Sequence, residues 1–256
     1  MRILFPLFIL VLLITTACDK EGRDYYQVRF YQLADETQEL RMDKYLKDAY
    51  IPALNRAGIE HIGVFKPVEE DTVSGNIIVV LIPFTSLEQL NALQGFLEKD
   101  PLYLENGRDY LDAAHDRPPF ERFETILLKS FWLTPKYFIP NHSTPRSDQV
   151  YELRSYESAT EKLHQRKVEM FNEGGEIALF SKLEFNAVFY GQVISGAHMP
   201  NLMYMTSFEN MESNRKHWDA FRNHPDWLEL KNLEKYANTV SHIDRWLLHP
   251  ADYSGI

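Results

Sequence analysis

The chain has 256 residues, 45% of them hydrophobic and 25% charged, an ordinary globular composition with room for one or two domains and a real core. Its formal charge is −10, and no basic stripe interleaved with aromatics occurs, which speaks against a long phosphate-binding surface and any nucleic-acid partner. A single cysteine rules out an intramolecular disulfide.

The first residues carry a separate message. Arg2 precedes an apolar run from Ile3 to Ile14, the small residues Thr15, Thr16 and Ala17, and then Cys18. This is the layout of a secretory signal, and the run falls short of the about 20 residues that span a hydrocarbon core. Cys18 directly after Thr-Ala resembles a bacterial lipobox, although Thr15 stands where leucine is usual. The resemblance implies that residues 1–17 are a signal peptide and that Cys18 is acylated, with residues 18–24 forming the lipidated cysteine and a charged tether. Several acyl chains, at about 0.8 kcal/mol per buried methylene, hold a protein firmly without a transmembrane span. The expected location is therefore a bacterial cell envelope, lipid-anchored, at the outer membrane on its periplasmic face or at the cell surface. The acidic tether also resembles sorting signals of some exported lipoproteins; a solvated linker is the plainer reading.

Tyr25–Leu33, aromatic and β-branched, predicts a strand, and Thr37–Ala57 predicts a helix with a kink at Pro52 and a stop at Gly58. Ile59–Val68 and Asn76–Phe84 follow as strands around a polar turn. Ser86 caps a helix through Lys99 that Asp100-Pro101 ends. Residues 103–119 read as irregular or partly helical, and Phe120–Leu133 as a closing strand. The proline-rich stretch 135–147 is the best linker. After it the pattern repeats: a strand to Glu157, a helix from Thr160 to Leu183 interrupted by Gly174-Gly175, strands at 185–193 and 202–208, a helix from Met211 to Asn223, and a last strand at 238–248.

Arg29 and Tyr31 recur as Arg154 and Tyr156, 125 positions on, and Val64-Phe65 recurs as Val188-Phe189, shifted by 124. The order β-α-β-β-α-β in each half is the ferredoxin-like signature. The expected fold class is thus α+β, with two tandem ferredoxin-like units, residues 25–134 and 148–256, joined by 135–147. Two such sheets facing each other close into an intrachain dimeric α/β barrel with the helices outside.

Val150-Tyr-Glu-Leu-Arg-Ser-Tyr156, Met170-Phe-Asn-Glu-Gly-Gly-Glu176, Phe185-Asn-Ala-Val-Phe-Tyr-Gly191, Met199-Pro-Asn-Leu-Met-Tyr-Met205 and His217-Trp-Asp-Ala-Phe-Arg-Asn-His-Pro-Asp-Trp227 together resemble the NIPSNAP family. The first repeat matches only in outline: Asp100-Pro-Leu-Tyr103 stands in place of His-Pro-Asp-Trp. The resemblance implies a dimeric α/β-barrel fold, shared with small cofactor-free monooxygenases and some haem proteins, and no common activity. It also makes the second half the better place to look for a site.

Arg154 and Tyr156 share a strand face, where a guanidinium beside a phenol suits a carboxylate or enolate oxygen; the plainer alternative is a structural pair, with the arginine bonded to a carboxylate or backbone. Glu173 and Glu176 flank the helix break, and a carboxylate held against apolar surface can act as a base; most helix carboxylates are merely solvated. His217 beside Trp218 suits a pocket wall, while His224 before Pro225 suits a helix end. Tyr190, Asn201 and Tyr204 from neighbouring strands offer polar tips to an apolar cleft, or are core. His198 is a weak candidate for a haem ligand. No metal-ligand spacing, phosphate loop or nucleophile elbow occurs, so no metal and no cofactor is expected.

The expected role is a membrane-tethered binding or interaction module for a small apolar or aromatic ligand, with homo-oligomerisation as a further option. The alternative is a cofactor-independent monooxygenase or isomerase acting on a small aromatic substrate, with Glu176, His217 and Tyr204 as the catalytic candidates. Such an enzyme should place at least one of the three inside a closed cavity. A third option, a structural assembly unit, would dimerise through sheet edges.

Overall fold

A computed structural model describes residues 22–69, 71 and 74–256; the signal segment and Cys18 lie outside the described residues. Eight strands close into one barrel in the order β1-β3-β2-β8-β5-β7-β6-β4. They are β1 Tyr25–Gln32, β2 Gly63–Pro67, β3 Ile77–Phe84, β4 Arg122–Ser130, β5 Val150–Glu157, β6 Asn186–Ser195, β7 Asn201–Phe208 and β8 His242–Pro250. The barrel is closed, so it offers no open edge for dimerisation by strand addition.

Alternation along each strand sorts the side chains into an inner and an outer set. Tyr26, Val28 and Phe30 of β1 point inward with Phe65, Leu81, Leu128, Tyr151, Leu153, Phe189, Met203 and Met205, and all are buried. Eight strands leave an interior that side chains can just fill, and here aromatics and methionines fill it. The outward set packs under helices in two separate layers, one over each half of the chain.

The halves meet at two seams, β2 with β8 and β4 with β6. At the second seam Ser130 lies opposite Gly191, and a Cβ on Gly191 would come within 3.1 Å of the Leu128 Cβ, so a larger residue there would require Leu128 to shift by a few tenths of an ångström. The C-terminal segment folds back over the first half: Gly255 N–H donates to the Ile62 carbonyl, and the Ser254 hydroxyl accepts from Val64 N–H.

The first-half helices are α1 Glu36–Tyr45, α2 Ile51–Arg56, α3 Leu87–Leu97, α4 Pro101–Asn106 and α5 Arg108–Leu111. The expected kink at Pro52 takes the form of a π-helical turn over Leu46–Tyr50, just ahead of the proline. Proline lacks the N–H that Asp48 C=O would receive and its ring crowds that carbonyl, so the preceding turn widens. Asn106 Nδ2 donates to the freed Asp48 carbonyl at 3.3 Å. Asp100-Pro101 ends α3 but also starts α4, because proline suits a first helical position and the Asp100 carboxylate caps Leu102 and Tyr103 N–H.

In the second half α6 Glu161–Asn172 and α7 Glu176–Lys182 break where the glycine pair falls, with Gly175 at φ +97°. Helix α8 Met211–Asn223 and α9 Pro225–Leu230 complete the layer. His224 ends α8 and caps α9, its ring accepting from Asp226 N–H.

Two expectations about connecting segments change. Arg23 and Asp24, read as tether, are bound into the barrel: Arg23 Nε donates to the Ser130 carbonyl at 2.6 Å, and the Asp24 carboxylate accepts from Tyr137 N–H at 3.0 Å. The 135–147 linker is held in the same way, since Phe138 N–H donates to the Val188 carbonyl and Glu209 receives Ser143 and Thr144. No helix among the described residues is long and apolar enough to cross a membrane.

Candidate functional site

The outward face of β5 presents Glu152, Arg154 and Tyr156 at alternate positions beneath α6, α7 and α8. Arg154 Nε and Nη2 both reach Glu152 Oε1, at 2.6 and 2.5 Å. The other carboxylate oxygen accepts from Asn214 Nδ2 at 2.6 Å and from the Trp218 indole N–H at 2.5 Å. The guanidinium lies over the Trp218 ring, its carbon 3.7 Å from the ring centroid. Arg154 Nη1 then donates to the Tyr156 hydroxyl, which shares a 2.8 Å hydrogen bond with Tyr204 of β7. Glu152 is 1% exposed, and every part of this network has a protein partner.

A second buried pair stands beside it. Lys167 of α6 donates to Glu176 at 2.7 Å, and the two side chains are 4% and 2% exposed. The ammonium also lies 4.8 Å from the Phe171 ring centroid and 5.4 Å from that of Tyr156. Burial pushes the Glu176 carboxyl above its ordinary range, while Lys167 and then Arg154 pull it back. Burial also raises the phenols of Tyr204 and Tyr190, so both stay protonated donors at neutral pH.

Beside this packed layer an open cleft of about 650 Å3 lies between β6, β7, α7 and α8. Phe185, Phe208, Tyr190 and Phe138 give it an apolar lining, and His217, Ser207 and Thr134 supply polar tips. His217 is held edge-on to Phe185 and Phe208, and its Nδ1 donates to the Ser213 carbonyl at 2.7 Å, which leaves Nε2 as the acceptor of the neutral ring. Glu209, at the rim, is held down to about 2 by the Ser143 backbone N–H and the Thr144 and Ser143 hydroxyls and N–H groups.

The structure therefore brings Arg154, Tyr156, Tyr204, Trp218 and Glu176 into one buried layer and puts His217 and Tyr190 on an open cleft. Glu173 is exposed at the end of α6 and joins neither. Asn201 points the other way from Tyr204 and donates to Ser155 at 2.9 Å. Glu152 was missed in the sequence, although its equivalent 125 positions earlier is Gln27 and that contrast was readable. Among the described residues one group could hold an ion: Glu157, His242 and Asp244 keep their ligand atoms within 4.8 Å of one another. These groups are near the surface and already engaged, His242 with Asp244 at 3.0 Å and Glu157 with His198 at 2.8 Å.

Known proteins place this geometry in context. The whole chain is similar in fold to a candidate monooxygenase from Fusobacterium nucleatum subsp. nucleatum, with 8% identity, a TM-score of 0.60, and 90% of this chain and 93% of that one covered. A candidate monooxygenase from Lactobacillus acidophilus follows at 11% identity and TM-score 0.58, covering 89% of this chain and 94% of that one. An anthrone oxidase-like protein matches at 7% identity and TM-score 0.53, covering 91% and 93%. At such identities the likeness is one of fold alone. No curated protein sequence matches the chain. The NIPSNAP family model, in contrast, matches residues 151–255, the part that carries the Glu152 network and the cleft. Over residues 151–255 the chain is thus similar to the NIPSNAP family.

Proposed function

We propose that this protein is a small-molecule binding module built from two tandem ferredoxin-like units and tethered to a bacterial envelope membrane through lipidated Cys18. The ligand site is the second-half cleft, and its lining suits a small apolar or aromatic molecule with a polar group for His217. One observation carries this reading. Two of the three acid–base candidates are committed to partners, Glu176 to Lys167 and Tyr204 to Tyr156, and the third, His217, lines an open rather than a closed cleft that neither of the others reaches. An enzyme of the oxygenase or isomerase type needs a base free to accept a substrate proton inside a closed site. That alternative draws on likeness of fold, which does not transfer chemistry.

The lining supports the choice of ligand class, since apolar clefts with a few convergent polar groups are the usual form of small-molecule sites. Phe138 belongs to the cleft, and Trp132, Leu133 and Ile139 on the same stretch of chain are exposed, so apolar surface continues at its rim. Native mass spectrometry of the protein purified from its own envelope tests the proposal. Recovery of one defined aromatic or lipid molecule, lost in His217→Ala, is expected. Recovery of bare protein in a large homo-oligomer would favour an assembly role instead.

A further inference from the structure

The first half holds a cluster at the corresponding place, with one change of chemistry. Gln27, Arg29 and Tyr31 of β1 stand where Glu152, Arg154 and Tyr156 stand on β5. Arg29 Nε donates to Gln27 Oε1 at 2.8 Å, and Nη1 reaches the Tyr31 hydroxyl at 3.4 Å. A carboxamide cannot neutralise a guanidinium. Among the described residues Nη2 has no acceptor, and no carboxylate pairs with Arg29. Its hydroxyl partner is Tyr31, and the Tyr50 ring centroid stands 5.3 Å from its guanidinium carbon.

This cation opens onto a cavity of about 290 Å3 between β1, the π-helical turn, α3 and α4. Tyr45, Tyr50, Tyr103 and Tyr110 form much of its wall, with Leu93 from α3. Tyr45 and Tyr110 stack face to face at 3.6 Å, and the Tyr45 and Tyr103 hydroxyls bond each other at 3.0 Å, so the wall is preset. Tyr50 differs from them. It is 1% exposed, and its hydroxyl is buried without a hydrogen-bond partner. Burial raises this phenol, which therefore stays a donor. A buried donor left unsatisfied is unfavourable, and a partly buried cation without a counter-charge is too, so both favour an acceptor supplied from outside.

We infer that the first half carries a separate binding site for a small organic carboxylate, with Arg29 and the Tyr50 hydroxyl holding the carboxylate and the tyrosine-lined wall holding its apolar body. The ligand supplies the negative charge that the Glu152 side chain supplies in the second half, from the cavity side of Arg29, because Gln27 fills the position equivalent to Glu152. A phosphate or sulfate would find the same charge but nothing for the ring wall to do, so an aromatic or short aliphatic acid fits better. This site does not depend on the second-half cleft.

Calorimetric titration of the intact protein in detergent tests the inference, with benzoate, hexanoate and acetate as probes and benzamide as the uncharged counterpart of benzoate. Saturable binding of benzoate or hexanoate is expected, with benzamide at least about tenfold weaker because a charge-assisted bond is lost. Gln27→Glu supplies an internal anion and should weaken the carboxylate by about tenfold or more while the thermal midpoint holds or rises. Tyr50→Phe should weaken it by a few-fold. Absence of saturable binding by all three acids, equal binding of benzoate and benzamide, or unchanged affinity in a folded Gln27→Glu variant would each overturn the inference.

Discussion

Both halves of the barrel place an arginine two residues before a tyrosine on the helix-facing side of their first strand, yet the two arginines live in different electrostatic worlds. Arg154 is gripped by Glu152, lies over Trp218 and is only 14% exposed. Arg29 has Gln27 in the equivalent position, a looser contact with the Tyr50 ring at 5.3 Å, and a cavity beside it. One carboxylate thus separates a cluster that holds a layer together from one that is left able to hold something else. The helix breaks differ too: the first half widens a turn ahead of Pro52, whereas the second uses Gly174-Gly175, and that second break points Glu176 inward at Lys167.

The comparison can be broken most forcefully at Glu152. Glu152→Gln removes the anion from beside a buried guanidinium and should cost about 3–5 kcal/mol in urea denaturation. Lys167→Met should cost nearly as much, about 3–5 kcal/mol, by leaving the Glu176 carboxylate buried without a counter-charge; adding Glu176→Leu in the same chain should recover most of that loss. An additive double variant would show that the two groups do not act as a pair. At the seam between halves, Gly191→Ala forces a methyl to 3.1 Å from Leu128, and a loss of about 1–3 kcal/mol is expected in the same assay.

The smallest effect concerns Glu209, which ties the linker to the rim of the cleft. Its carboxyl sits at about 2 in the folded chain against an ordinary 4.5, so its contribution is complete above pH 4.5 and is lost as pH falls through 2. Thermal midpoints measured from pH 5 to pH 2 should fall less steeply in Glu209→Gln than in the parent. Parallel curves would mean that the Ser143 and Thr144 bonds do not hold the carboxylate in its charged form.

Much of the architecture could be read from residues alone. Alternation marked the strands, the glycine pair marked the break between α6 and α7, and the 124–125 spacing pointed to the closed barrel. The π-helical turn could not be read, because it depends on where the Asp48 carbonyl finds a substitute donor, and Asn106 is 58 residues away. The helical resumption at Pro101 was hidden because the same Asp-Pro pair serves as stop and start. At the candidate site, alternation puts Arg154 and Tyr156 on one strand face, but nothing in the sequence shows that Tyr204 and Trp218 join them there or that Glu152 ties Arg154 to Trp218. An acid on a strand looks solvated until Trp218 and Asn214, more than 60 residues on, are seen to donate to it.

The difference between the halves is tested most directly by exchanging its two side chains and measuring stability in urea at pH 7. Gln27→Glu should leave the protein as stable as the parent or more so, because it gives Arg29 a counter-charge, while Glu152→Gln should destabilise it by about 3–5 kcal/mol. Equal losses from both substitutions would contradict the view that Arg29 lacks an anion and Arg154 depends on one.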